Sequence, residues 1–192
     1  MPKRGVLVVI SAPSGGGKTT LLRRVRASGS GCFEYSISAT TRTRRRNEVD
    51  GRDYFFLNMD EFERRKKNGE FVEWAEVHGY HYGTPAEPIE RWLDQGKVIL
   101  ADLDVDGGLA VKARFGESAL LIFVRPPSFV SLFERLKKRN TETDSEIEKR
   151  LQRYPKEMKK SKYYDVQVVN ENLDETAAKV LKLINNYNYC ND

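Results

Sequence analysis

The stretch Ser11-Ala-Pro-Ser-Gly-Gly-Gly-Lys-Thr-Thr20 constrains this chain more than any other. Before it, Gly5 to Ile10 (GVLVVI) is short, continuous and rich in β-branched residues, which predicts a strand buried on both faces. After it, Leu21, Leu22 and Val25 recur at helical spacing among Arg23, Arg24 and Arg26, which predicts an amphipathic helix starting at Lys18. Strand, glycine loop and helix together form the setting of a phosphate-binding loop. Without Cβ atoms, the backbone of Gly15 to Gly17 can curl so that successive N–H groups face one hollow, and the helix adds the positive end of its dipole. Such a hollow takes an anion. Ala12, Pro13, Ser14, Gly15, Gly16, Gly17, Lys18, Thr19 and Thr20 are the candidate contacts to ATP phosphates, with Lys18 reaching the β- and γ-phosphates and the Thr19 hydroxyl placed for magnesium. Ala12 stands where the pattern GxxxxGK[ST] has its first glycine, so only the second glycine, the lysine and the threonine match. The bland alternative is a Gly/Ser-rich turn with a chance lysine.

A chain of 192 residues with 39% hydrophobic content fits one domain with room for inserted subdomains. Its net charge of +5 favours anionic partners, whether nucleic acid, acidic lipid or phosphorylated small molecules, without choosing among them. Cys32 and Cys190 form no CxxC pair, which points to a reducing compartment rather than a disulfide frame or zinc site. The apolar run behind Met1-Pro-Lys-Arg4 is too short for a secretion signal or a membrane span. A cytoplasmic protein without a membrane partner is expected; nothing in the sequence sets an oligomeric state.

Further along, Val98 to Leu103 (VILADL), Ala119 to Val124 (ALLIFV) and Val166 to Val169 are buried-strand candidates that alternate with helical patterns. The alternation predicts an α/β fold with a mostly parallel core sheet. Between Tyr35 and Tyr82 the segments become shorter and more alternating (YSISAT, DYFFL, FVEWAEV), which predicts an inserted small antiparallel or mixed sheet. Ser128 is placed to cap a helix with the face Phe129, Leu132, Phe133 and Leu136, and Thr143 with Glu146 forms a capping box for the next, which carries Ile147 and Leu151. Pro155 falls inside that second pattern and predicts a kink or stop. A last helix from about Asp174 buries Ala177, Val180, Leu181 and Ile184, and the tail Asn185 to Asp192 reads as frayed.

Thr40-Thr-Arg-Thr-Arg-Arg-Arg46 is the densest basic run. A solvated face or a nucleic-acid patch is the ordinary reading. Its place between YSIS and Gly51-Arg-Asp-Tyr54 better suits arginines and a tyrosine hydroxyl converging on a compact phosphate. Glu73, Asp102 and Asp104 are candidate acceptors. Asp102 and Asp104 share a face if both lie on the strand, at the end where α/β sheets place ligands, and the alternative is a carboxylate capping a loop. His78 and His81 with Glu76 invite a metal reading, but their Gly/Tyr-rich turn has no cysteine nearby, so surface or structural histidines are expected.

Taken together, SAPSGGGKTTLL, SISATTRTRRRNEVDGRDYFF, GEFVEWAEVHGYHYGTP, VILADLDVDG, VRPPS, RLKKRNTET and VVNENLDE resemble the guanylate kinases, in their bacterial form, over nearly the whole chain. The resemblance implies a P-loop α/β core (about 1–34, 97–128 and 163–192), a GMP-binding region (about 35–96) and a helical lid (about 129–162). It implies transfer of the γ-phosphate of ATP to GMP, with dGMP as a further acceptor, in purine nucleotide salvage, with magnesium and without nucleic acid. By position, Arg42, Arg45, Tyr54 and Tyr82 hold the phosphate of GMP, and Ser38, Glu73, Thr84 and Asp104 read its guanine. Lys18, Arg135, Arg139 and Arg150 surround the travelling phosphoryl group together with Arg42, and Thr19 and Asp102 lie near the metal, the latter through water. A carboxylate suits guanine because its Watson–Crick edge offers N1–H and an amine as donors, whereas adenine presents a bare N1 lone pair.

Arg44 stands where the family commonly has proline, Asn140 replaces a frequent glycine in the lid turn, and Pro155 has no family counterpart. Asparagine visits the left-handed region more readily than most residues, so the lid turn tolerates it. Two other readings compete. A catalytically silent binding module of this fold would recognise a phosphorylated peptide, but Lys18, Thr19 and the lid arginines are in place. A nucleic-acid-dependent ATPase would need a further domain for which the length leaves no room.

Overall fold

The structure, a computed structural model, describes residues 5–29, 33–77, 79–138 and 144–190. Every residue of the first strand, β1 (Val6–Ser11), is buried. The elements that follow are α1 (Lys18–Ser28), β2 (Phe33–Ser36), β3 (Ala39–Thr40), β4 (Phe55–Phe56), α2 (Met59–Lys67), β5 (Phe71–Val77), β6 (Tyr80–Pro85), α3 (Ala86–Asp94) and β7 (Val98–Asp102). After them come α4 (Val105–Phe115), β8 (Ala119–Arg125), α5 (Phe129–Lys138), α6 (Asp144–Lys160), β9 (Val166–Val169) and α7 (Leu173–Cys190).

A five-stranded sheet, ordered β2-β7-β1-β8-β9, is parallel throughout. Val6, Val8 and Ile10 of β1 pack with Leu21, Leu22 and Val25 of α1 and with Ala177, Val180 and Ile184 of α7. Leu7 and Val9 pack on the other face with Ile89 and Leu93 of α3 and Val111 of α4. Alternate residues therefore serve two helical layers, which is why the strand reads as an unbroken apolar run. The crevice lies outside the carboxyl ends of β1 and β7, at Ser11 and Asp102. A second sheet, ordered β4-β3-β6-β5, mixes one parallel pair with two antiparallel ones. Its own small core stacks Phe62 on Phe71 at 4.7 Å, over Ala39.

Several expectations are corrected. Tyr35 and Ser36 belong to β2 at the edge of the parallel sheet, not to the small sheet, and α3 packs on the large sheet. Asp102 ends β7, whereas Asp104 lies beyond it as the N-cap of α4, so the two do not share a strand face. Pro155 does not stop α6, which runs on to Lys160. Ile147, Leu151 and Tyr154 hold the helix against Leu132 and Leu136 of α5, and this packing outweighs the lost backbone bond. Ser128 does cap α5, accepting from Ser131 N–H at 3.0 Å, but Phe129 is 48% exposed rather than on the buried face. Thr143 and the Glu146 side chain lie outside the described residues. The tail is helical to Cys190, with the Tyr187 hydroxyl donating to Glu117 O at 3.0 Å.

Candidate active site

Gly15 and Gly17 hold φ of +87° and +89°, a region that disfavours any side chain. Space demands the same residue: a Cβ on Gly15 would lie 2.6 Å from Leu136 Cδ2, and one on Gly17 2.8 Å from Asn170 Nδ2. Gly17 caps α1 without a side-chain acceptor, so the first amides of the helix and its dipole are left for an anion. Ala12 and Pro13 are buried beneath the loop, Ser14 is half-buried, and Thr19 and Thr20 stand exposed on the first turn of α1. Gly16 N–H donates to Pro13 O at 2.8 Å and closes the turn. Lys18 Nζ lies 2.5 Å from the Asp102 carboxylate and donates to Leu103 O at 2.8 Å.

A cleft of about 360 Å³ joins Lys18, Thr19 and Asp102 to Ser38, Tyr54, Glu73, Tyr82 and Asp104. Thr84, fully buried on β6, donates to Glu73 Oε1 at 2.5 Å. Burial pushes the Glu73 carboxyl above its usual range; the Thr84 hydroxyl draws it back, Asp104 pushes it further up, and Lys18 opposes. Asp104 Oδ1 accepts from Gly107 N–H at 2.7 Å. A Cβ on Gly107 would lie 3.1 Å from Glu73 Oε2 and 3.3 Å from Asp104 Oδ1, so the two carboxylates converge over that glycine.

Arg42, which does not itself line the cleft, pairs through Nη2 with Glu48 at 2.7 Å, both side chains largely buried (11% and 17% exposed). Its donation to the Glu48 carboxylate holds the guanidinium more firmly protonated. Glu48 Oε2 also accepts from Arg45 N–H at 2.8 Å. Arg42 sits 5.5 Å over the Tyr54 ring, which meets Tyr82 edge-on at 6.0 Å. Arg150 and Arg135 do not line that cleft; Arg150 Nη1 donates to Ser14 Oγ of the glycine loop at 2.7 Å, and Arg135 Nη2 to Asn170 O at 2.9 Å. Arg139 lies outside the described residues. Thr19 and Asp102 bring hydroxyl and carboxylate oxygens to the same cleft, the hard donors that magnesium takes.

Sequence reasoning missed Glu48, which grips both Arg42 and Arg45, and Asn170, whose Nδ2 donates to Gly16 O at 3.3 Å. Their partners come from other segments or from the backbone, and only a polar residue just past a strand hinted at Asn170. His81 packs 5.4 Å from Phe62 with its Nδ1 buried; His78 lies outside the described residues. Among the described residues no helix is long and apolar enough to cross a membrane.

The family model described as guanylate kinase matches residues 4–187. A guanylate kinase from Lawsonia intracellularis is 46% identical over 171 residues, 89% of this chain and 80% of that protein. One from Bacillus subtilis is 43% identical over 184 residues, 96% of this chain and 89% of that protein. The crystal structure of guanylate kinase from Anaplasma phagocytophilum superposes with a TM-score of 0.76 at 32% identity, covering 96% of this chain and 86% of that one. Likeness of that extent in both sequence and fold leaves a single assignment: the chain belongs to the guanylate kinase family.

Proposed function

We propose that the cleft of about 360 Å³ is where the γ-phosphate of ATP passes to GMP, giving ADP and GDP. The observation that carries this reading is the meeting of two chemistries in one space: Lys18 and Thr19, which follow the glycine loop, and the carboxylates Glu73 and Asp104, the former bonded to Thr84, line the same cleft. Guanine supplies the N1–H and amine donors that two converging carboxylates lack, and AMP leaves them opposed to a lone pair. Discrimination built on such unpaired groups reaches about 10⁴-fold.

Arg42, Arg45, Tyr54 and Tyr82 take the phosphate of GMP, with Ser38 completing the guanine contacts. Its oxygen is ionised near neutral pH, so attack needs no general base. The difficult step is holding two polyanions in line, and Lys18, Arg42, Arg135, Arg139 and Arg150 supply the compensating charge. Thr19 and Asp102 are the residues that would hold magnesium, which when bound neutralises charge on the triphosphate. The small sheet and the pair α5–α6 close over the two nucleotides and exclude water, while the large sheet stays fixed. A cytoplasmic setting fits substrates that are free nucleotides.

The test supplies MgATP with GMP, dGMP, AMP, UMP or dTMP in turn and follows ADP release. Turnover with GMP and dGMP alone is expected; strong turnover with AMP and none with GMP discards the guanine assignment.

A further inference from the structure

Tyr164 lies just before β9, 6% exposed, in none of the loops that line the cleft. Its hydroxyl donates to Ser11 Oγ at 2.8 Å, with Val105 O a second acceptor at 3.1 Å. Ser11, the last residue of β1 and 0% exposed, reaches Leu103 O at 2.9 Å and Asp104 O at 3.1 Å. Leu103 O is also the acceptor of Lys18 Nζ. Each hydroxyl has one hydrogen, so the shortest contacts form a directed chain: Tyr164 O–H to Ser11 Oγ, Ser11 O–H to Leu103 O, met there by the Lys18 ammonium. Burial pushes the phenol above its usual range, so it stays a donor. Gly108 keeps the route open, since a Cβ there would lie 2.1 Å from the Tyr164 oxygen.

Resting on the function proposed above, we infer that Tyr164 and Ser11 are positioning residues for phosphoryl transfer: through Leu103 O they fix where Lys18 stands relative to the turn carrying Asp104. Two features separate this from ordinary core filling. The chain ends on the amine assigned to the donor nucleotide, and the turn it pins carries the carboxylate assigned to the acceptor. The bond from Tyr164 polarises the Ser11 hydroxyl and firms its hold on Leu103 O; without that hold the carbonyl is free to shift, and the Lys18 ammonium that donates to it shifts too.

The experiment measures kcat, both KM values and Tm for the parent, Tyr164→Phe, Ser11→Ala and the double variant with MgATP and GMP. Each single variant is expected to lose about ten-fold in kcat, with KM for either nucleotide moving less than about three-fold, and the double variant to lose no more than either, because all three break one chain. A purely structural role lowers Tm and leaves kcat per folded molecule unchanged. A folded variant with kcat within two-fold of the parent overturns the inference, as do losses that multiply in the double variant. If Tyr164→Phe fails to fold, Ser11→Ala decides by the same criterion. A parent that does not phosphorylate GMP overturns the proposed function and this inference together, whereas an active parent with undiminished variants overturns this inference alone.

Discussion

The burial of Glu73, assigned above to the guanine, opposes stability. Its burial beside Asp104 raises the carboxyl above 4.5 in the folded state, so the folded chain holds that proton more tightly than the unfolded one. Stability therefore falls as pH rises from the unfolded value through the folded one, and the full cost is present above the folded value. Glu73→Gln removes the charge and keeps an acceptor for Thr84. Its Tm is expected to exceed the parent's at pH 7, with the advantage vanishing below pH 4.5. GMP affinity falls in the same variant by about 10- to 100-fold, the worth of hydrogen bonds to a charged group. Thermal scans across pH and a GMP titration check both halves, and a variant less stable than the parent at pH 7 counts against the account. Lys18, assigned above to the donor phosphates, is the complementary case. Lys18→Ala is expected to lower kcat by about 10²- to 10³-fold while GMP binding, measured by equilibrium titration without ATP, stays within a factor of about two.

Helix α6 is the element with the plainest internal conflict. Pro155 has no N–H for the Leu151 carbonyl, and an interior proline costs a helix about 3 kcal/mol relative to alanine. Pro155→Ala restores that bond, so amide exchange between residues 151 and 160 is expected to slow by about ten-fold or more while the described core of β1 and β8 is unaffected. Unchanged exchange in α6 would mean that packing against α5 alone sets its stability. The same conflict explains what sequence could reveal about elements. Strands β1, β7 and β8 are legible because burial on both faces leaves only their last residues, Ser11, Asp102 and Arg125, polar. Tyr35 and Ser36 read as part of the small sheet because the edge strand FEYS alternates apolar and polar residues as an antiparallel strand does. Helix α2 went unread although Asn58 accepts from Glu61 N–H at 2.8 Å, because Phe62 alone is buried and no helical period of apolar residues exists to find. The glycine loop was legible in its letters, but its support was not: Asn170 meets Gly16 across 154 residues, a distance no local pattern spans.

At the scale of the whole molecule, arginines outnumber carboxylates beside the cleft. A hollow of about 690 Å³ adjoining the cleft is lined by Arg23, Arg26, Arg45, Arg46 and Arg52 against Glu48, Asp53 and Asp102. Arg23 and Arg26 belong to the outer face of α1 and are exposed, with Arg26 resting 4.4 Å over the Tyr35 ring. Exposed charges of this kind add little to affinity once the ligand is seated, yet their summed field draws anions inward and raises the association rate. Screening shortens that field from about 10 Å at 0.1 M salt to about 3 Å at 1 M. The value of kcat/KM for GMP is therefore expected to fall about 3- to 10-fold between about 0.05 and about 0.5 M KCl, with kcat at saturation changing less than about two-fold. Chloride competing inside the phosphate site would also raise KM, so the slope alone does not identify its source. The double variant Arg23→Glu, Arg26→Glu separates the two: it leaves the phosphate site intact but removes the steering charge. Steering requires a lower kcat/KM at low salt and a flatter slope, converging on the parent at high salt, whereas competition at the site leaves parent and variant with parallel slopes.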